Sequence, residues 1–484
     1  MTAPRFTVET IDLFERQIHL RMPFRFGVVT LTAAPQAYVR ASIRLEDGRR
    51  AAGAAAEMMA PKWFDKSPAL SDEDNVAQLR NSLATAREAY LAGRANTAFG
   101  HWRENYAPLI AGGALRGLNG LVACYGPALI DRALLDALCR ALVVSFYRAA
   151  RSNLPGIEQP GLDMTAFLSG LAPQATIAAR HTVGLADPIT AGDLGQRLND
   201  GLPETLEEVV ARYGQRYFKL KVGGEPRAAV ERLAAIASVL DRIEDPYHAT
   251  LDGNEQYGDV EGALELWRRV VEEPRLVRLA RSVLFVEQPI RRASALARDI
   301  SPLAREIPVI IDESDDSLEA FPHARTLGYA GVSSKTCKGL YKSLINAARC
   351  ALWNRDQGAG RCFMSGEDLT VQAGLALQQD LALVSLLGLR HVERNGHHYV
   401  NGMAAAPDSE QSEFLAAHPD LYQRSYGAVR PLIRDGMLAM GSLDCPGYAS
   451  GALPDWASLR ALNVSAQVAA KSPISRSTSS EASS

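Results

Sequence analysis

The chain has 484 residues, 47% of them hydrophobic and 22% charged, with a formal net charge of -3. These values describe an ordinary globular protein with room for two or three domains, and they exclude bulk electrostatic attraction to nucleic acid or to an anionic membrane. Six scattered cysteines without a CxxC pair exclude a zinc ribbon and a disulfide frame, and without an apolar leader or a run of roughly 20 apolar residues the expected setting is cytoplasmic.

In chain order, "RFTVETIDLFERQ" and "QAYVRASIRLEDG" read as strands with a turn at "EDGR", and helical periodicity follows from about Asp72 to Arg151. Residues 1–164 are therefore an α+β unit with an extended helical part. From "TIAARHTVGL" onward, short apolar strands alternate with amphipathic helices. The strands are "YFKLKV", "HATLDGN", "VLFVEQP", "PVIIDES", "GVSSK", "CFMSGEDL" and "HVERN", which with the first makes about eight. That alternation predicts an α/β fold, a closed (β/α) TIM-type barrel over 165–400. An open doubly wound sheet is the competing fold, but no G-x-G-x-x-G stands at a strand-to-helix junction. A C-terminal segment, 401–467, follows, and the Ser-rich 468–484 reads as a disordered tail.

Within the barrel the polar residues fall at the carboxyl ends of strands, where barrel active sites are built. Lys219 and Lys221 share one strand face, as do Asp252 with Asn254 and Ser333 with Lys335. Asp252, Glu287 and Asp312 come from three successive strands. Three carboxylates in one mouth repel unless a cation holds them, and an all-oxygen set suits Mg²⁺, with Mn²⁺ as an alternative. Each piece has an ordinary explanation: a K-x-K pair is commonly solvated, and a strand-end acid commonly caps a helix. "DGNEQYGD" lacks the glycine and distal glutamate of a calcium loop. Order sets these residues apart: lysine pair, acid, acid, acid and lysine follow on strands two through six.

With those residues in place, the chain resembles the enolase superfamily, and within it the muconate lactonising enzyme subgroup. The likeness rests on "KLK" at Lys219 and Lys221, "DGN" at Asp252 and Asn254, "EQP" at Glu287, "DES" at Asp312 and Glu313, and Lys335. It implies an N-terminal domain capping the barrel mouth, C-terminal residues returning to that cap, and Mg²⁺ on Asp252, Glu287 and Asp312. Mandelate racemase resembles the chain less, because its subgroup has a His-Asp pair where this chain has Lys335. The segment "ERNGHHYVNG" after the eighth strand matches no characterised substrate pattern.

The implied chemistry is removal of the proton α to a carboxylate, giving an enediolate whose charge a divalent cation offsets. A lysine base must be neutral, so Lys219 is expected to depress Lys221 and to bond the substrate carboxylate. Lys221 is the expected base. Lys335 stands opposite as second base or stabilising cation, with Glu313 orienting it. Glu367 and Asp368 are candidate substrate contacts, Asp368 equally a helix cap, and His397 and His398 are weaker candidates. The loop around Phe24 to Val29, with Phe26, is expected to close over substrate. Racemisation or epimerisation is the first reading; dehydration and cycloisomerisation share its first step. A metal-independent Schiff-base aldolase using Lys221 or Lys335, and a barrel without catalysis, are the readings from other classes. The expected partners are a small carboxylate substrate and further copies of the same chain in a homo-oligomer.

Overall fold

A computed structural model describes residues 3–357 and 361–463, so the tail expected at 468–484 lies outside the described residues. The chain opens with β1 (Phe6–Phe26), β2 (Val29–Leu45) and β3 (Arg50–Met58), an antiparallel sheet in which Leu13 faces Val39 and Val39 faces Ala55. Three helices cover it: α1 (Asp72–Leu91), α2 (Ala98–Leu115) and α3 (Gly120–Leu142). Each begins where the sequence offers a cap. Ser71 and Asp74 form a reciprocal capping box, Thr97 accepts from Gly100 N, and Asn119 accepts from Val122 N.

The small residues of β3, "RAAGAAAEM", let α3 lie directly on the sheet. A Cβ at Gly53 would stand 2.2 Å from both Ala133 O and Ala137 N, so any larger residue there would push α3 away. From Leu121 to Cys139 every α3 residue is buried, as expected of a helix enclosed on all sides. Its far side packs on the turn at Thr336–Lys338, which carries α3 from the capping sheet to the barrel.

The barrel strands are β4 (Thr176–Val183), β5 (Tyr217–Lys221), β6 (His248–Asp252), β7 (Val283–Glu287), β8 (Val309–Ile311), β9 (Gly331–Ser334), β10 (Phe363–Gly366) and β11 (His391–Arg394). All neighbours are parallel, and β11 pairs back onto β4, His391 with Ala178 through Arg394 with His181, closing the ring. This is the eight-stranded barrel expected from the alternation, with an antiparallel α+β sheet domain before it. After β11 the chain lays Met437–Ala439 antiparallel on β4, then returns Arg460–Ala461 to β1 opposite Phe14 and Glu15. Buried Arg16 of β1 donates to both oxygens of Glu410, at 2.9 and 2.7 Å. One apolar core runs from the capping sheet through α3 into the β4 and β11 side of the barrel; a second fills the β5 to β9 side. Among the described residues no helix is long and apolar enough to cross a membrane.

Candidate active site

Strand register fixes where the polar side chains meet. Thr182 lies opposite Lys219, Lys221 opposite Asp252, and Asp252 opposite Glu287. Asp312 follows β8, Lys335 follows β9, and Glu367 follows β10 by one residue each. All are buried.

At the centre stands the Lys219 ammonium, 2.9 Å from Asp252 Oδ2, 2.7 Å from Glu287 Oε2, 2.7 Å from Glu367 Oε2 and 2.9 Å from Glu393 Oε2. Three of these acids have further donors. Asp252 also takes Lys221 Nζ at 2.6 Å and Asn254 N at 2.8 Å. Glu367 accepts from Arg180 and from Ser365 Oγ, and Glu393 accepts from Thr182 Oγ1 at 2.6 Å and Asp368 N at 2.9 Å. Among the described residues Glu287 has only Lys219, and its Oε2, though close to the ammonium, makes no well-directed hydrogen bond.

The electrostatics follow from that sharing. Burial pushes Glu287 well above the carboxylate range, and the neighbouring charges of Asp252 and Glu367 push the same way. Burial opposes ionisation of Asp252, Asp312 and Glu393 too. Lys219 with Lys221 overcomes it at Asp252, Lys335 with Lys338 at Asp312, and Lys219 with Lys221 at Glu393, so all three lie below the usual range. Lys219 is held well above the ordinary lysine value: burial favours its neutral form, but the four acids outweigh it. The positive neighbour expected to act on Lys221 is thus itself enclosed by carboxylates.

Across the mouth, Asp312 Oδ2 accepts from Lys335 Nζ at 2.7 Å, while its Oδ1 takes the Ser333 hydroxyl and lies 3.3 Å from Lys338 Nζ. Lys338 also donates to Ser333 Oγ at 2.6 Å and pairs with Asp315 at 3.1 Å. The Gln288 side chain braces this region, its Oε1 accepting from Asp312 N at 2.8 Å and Ser314 N at 3.1 Å.

The three acids supply only oxygen donors from adjacent strands, and Glu287 lacks a cation of its own. That donor set fits a hard divalent cation. Among the described residues no three acids or histidines are grouped as they would be around a metal ion, and the ammoniums of Lys219 and Lys335 stand against these carboxylates. A cation bound by these acids would take over contacts that the ammoniums make here.

Several candidates sit differently from expectation. Glu313 does not orient Lys335: it accepts from Lys66 Nζ at 3.2 Å and from Asn254 Nδ2 at 3.4 Å, because the chain after β8 turns its side chain toward the cap. Asp368 is consumed by backbone N–H groups of Leu369, Val371 and Asn395 and by Arg394, the capping alternative. Phe26 packs on Phe24, ring centroids 5.2 Å apart, and it is Phe24 that lies 5.9 Å from Lys221 Nζ. His397 and His398 cluster with His181 at 5.4 and 5.0 Å, away from the lysines, and burial holds all three well below the usual histidine range, His397 at about 3.

Other site residues carried weaker signals. Glu393 obeys the same strand-end rule within "HVERN", and Lys338 lies one short turn after Lys335. Arg180 is an arginine in the middle of β4, beside His181 and Thr182. Trp63, whose ring centroid is 4.3 Å from Lys335 Nζ, and Lys66 come from the cap segment after β3, where nothing local marks them.

Together these features define a closed (β/α) barrel with a charged mouth beneath an antiparallel cap. Residues 201–448, half of the chain, match the family model for enolase C-terminal domain-like sequences, and the protein belongs to the enolase superfamily. Solved structures share the fold. Muconate lactonizing enzyme from Mycobacterium smegmatis, complexed with muconolactone, is 19% identical over 94% of this chain and 99% of its own, with a TM-score of 0.57. A dipeptide epimerase from Enterococcus faecalis V583, complexed with Mg and the dipeptide L-Leu-L-Tyr, is 14% identical over 92% of this chain and 99% of its own, TM-score 0.57. An enolase from the alphaproteobacterium BAL199 with bound Mg is 15% identical, covering 92% and 96%, TM-score 0.57. Comparison with curated proteins gives no match.

Proposed function

We propose that the protein is a Mg²⁺-dependent enzyme that removes the proton α to a substrate carboxylate and returns it, acting as a racemase or epimerase. One observation carries the reading. β5 and β9 are four strands apart in a closed ring of eight, so Lys221 and Lys335 face each other across the mouth, with Asp252, Glu287 and Asp312 on the three strands between them. Two amines on opposite sides of one carbon are what inversion at that carbon needs.

Asp252, Glu287 and Asp312 would hold the cation, which would offset the charge that builds on the carboxylate as the proton leaves. Lys219, kept as an ammonium by the surrounding acids, pairs with the carboxylate's second oxygen. Lys221 accepts the proton from one face; Lys335 serves the other. Burial of the whole set excludes water and strengthens each of these interactions.

A second reading has its own support. Lys335 is pinned between Asp312 and the face of Trp63 and is held above the ordinary lysine value, Asp312 outweighing burial. This favours a fixed cation with Lys221 as sole base, the arrangement of a cycloisomerase or dehydratase. Deuterium uptake at the α-carbon, with Mg²⁺ in D₂O, tests both. Two-base chemistry predicts that Lys221→Ala and Lys335→Ala each stop exchange from one stereoisomer; one-base chemistry predicts that Lys221→Ala stops all of it. Full activity in excess chelator would remove the metal from either scheme.

A further inference from the structure

No residue of the cap helices enters the proposed reaction, yet α3, the longest of them, lies against the two barrel loops that follow Asp312 and Lys335. At its start, a Cβ on Gly120 would stand 2.4 Å from Asp316 O, in the loop after Asp312. Further along, Arg132 Nη2 lies 3.0 Å from Glu57 Oε2 of β3, and the same oxygen accepts from the Thr336 hydroxyl at 2.8 Å. The barrel helix Leu375–Leu386 joins them: Gln379 Oε1 takes Arg132 Nη1 at 3.4 Å, and Gln379 Nε2 donates to Ala54 O at 2.8 Å. Glu57, Arg132, Thr336 and Gln379 are all buried. Capping sheet, cap helix and barrel thus meet beside Thr336, the residue after Lys335.

The two lysines differ in what holds their backbone. Lys221 ends β5 inside the ladder, opposite Asp252, and Val222 N carries the pairing one step further to Asp252 O at 3.0 Å. The ladder of β9 stops at Ser334, opposite Gly366, one residue short of Lys335. Lys335 opens a tight turn instead, closed by Lys338 N to Lys335 O at 3.0 Å and by Gly339 N to Thr336 O at 3.1 Å. Such a turn sets its own shape but not its placement against the strands. The Thr336 hydroxyl, bonded to a buried acid that a guanidinium also grips, supplies that placement from the cap. A shift of about 1 Å at the turn carries the ammonium with it, enough to cost a reaction on the order of 100-fold.

We infer that Glu57 and Arg132 are positioning residues for Lys335, and that the helical part of the cap acts through them on one lysine of the mouth and not on the other. The inference rests on the proposed reaction for what Lys335 does, whereas the placement of Lys335 stands on the contacts themselves.

The chain has eight lysines, few enough for each to give its own signal when the full chain is made with lysine ¹³C-labelled at Cε. Lys221→Arg and Lys335→Arg assign two of them. The Trp63 ring centroid lies 4.3 Å from Lys335 Nζ, so the ring current shifts the Lys335 ε-methylene, and that shift reports where the side chain lies. Thr336→Val, which keeps the shape and removes the hydroxyl, should lose most of the shift; Thr336→Ser, which keeps the hydroxyl, should retain it. Glu57→Leu combined with Arg132→Met removes both charges, so that neither is left buried alone, and should lose the shift as well. Adding Thr336→Val to that pair should take away little more, because all three act through one link. The Lys221 signal should stay in place throughout. Absence of α-deuterium exchange from every carboxylic acid tried would remove the proposed reaction, while the lysine signals would still read the coupling. Folded variants whose Lys335 signal matches the wild type would overturn the inference, as would equal movement of the Lys221 and Lys335 signals, the mark of general loosening.

Discussion

Among the buried carboxylates, one set lies between α3 and the capping sheet and another in the barrel mouth. In the first, each acid has its own donors. Glu57 pairs with Arg132 at 3.0 Å and accepts from Thr336 at 2.8 Å. Asp136 accepts from Ala54 N at 2.8 Å, Tyr448 N at 2.7 Å, Arg140 Nε at 3.1 Å and the Ser450 hydroxyl. In the mouth, four acids share one ammonium. A buried charge with private partners holds architecture together, whereas an acid such as Glu287, which among the described residues has only a share of one ammonium, leaves binding capacity for something else.

Removing one acid from each set should expose that difference most sharply. Glu287→Gln should lower exchange activity on the order of 10⁴-fold, about 5.4 kcal/mol of barrier. Its melting temperature at pH 7 should equal or exceed that of the wild type, since the acid removed is one that resists ionisation. Asp136→Ala should do the reverse. By stranding two backbone N–H groups, a hydroxyl and Arg140, it should cost about 4 kcal/mol in urea unfolding, with exchange per folded molecule within about twofold of wild type.

A third substitution tests a buried acid of intermediate kind. Asp187 accepts from Gly184 N and the Tyr399 hydroxyl, yet burial outweighs these bonds and raises it to about 6. The folded state therefore holds this proton more tightly than the unfolded chain. The stabilisation is full below about pH 4 and is lost as pH rises through 6, amounting to roughly 3 kcal/mol. Asp187→Asn should abolish that share of the slope, seen as a smaller loss of unfolding free energy between pH 4 and pH 7 than in wild type. The smallest effect belongs to the surface. Leu115, 91% exposed at the end of α2, should tolerate Ser within about 0.5 kcal/mol by the same measurement.

The eight barrel strands were legible because each is a short apolar run between amphipathic helices, and Asp252, Glu287 and Asp312 were legible because each ends such a run. What strand pattern cannot supply is which distant group meets which. Phe24 and Phe26 lie on the same side of β1, so alternation could not decide between them; packing against Tyr399, at 4.3 Å, puts Phe24 beside Lys221. Glu313 follows directly after Asp312, yet the backbone turns it to Lys66, a residue of the cap. Trp63 and Lys66 reach the mouth through tertiary packing alone. Asp368 in "SGEDLT" reads equally as a substrate contact or a cap because a cap to backbone N–H groups leaves no distinct spacing.

The return of the C-terminal segment to β1 has a consequence for biosynthesis. Arg460–Ala461, Glu410 and Trp456, whose ring lies 5.4 Å from that of Phe14, close the outer side of the first strand made. The chain from Phe26 to Glu410 takes roughly 20–80 s to emerge at about 5–20 residues per second. Through that interval a nascent β1–β2 hairpin carries an unpaired edge beside Arg16, the kind of edge that templates wrong pairings. A chain stopped within the barrel would therefore keep an open β1 edge at its beginning, far from the missing part.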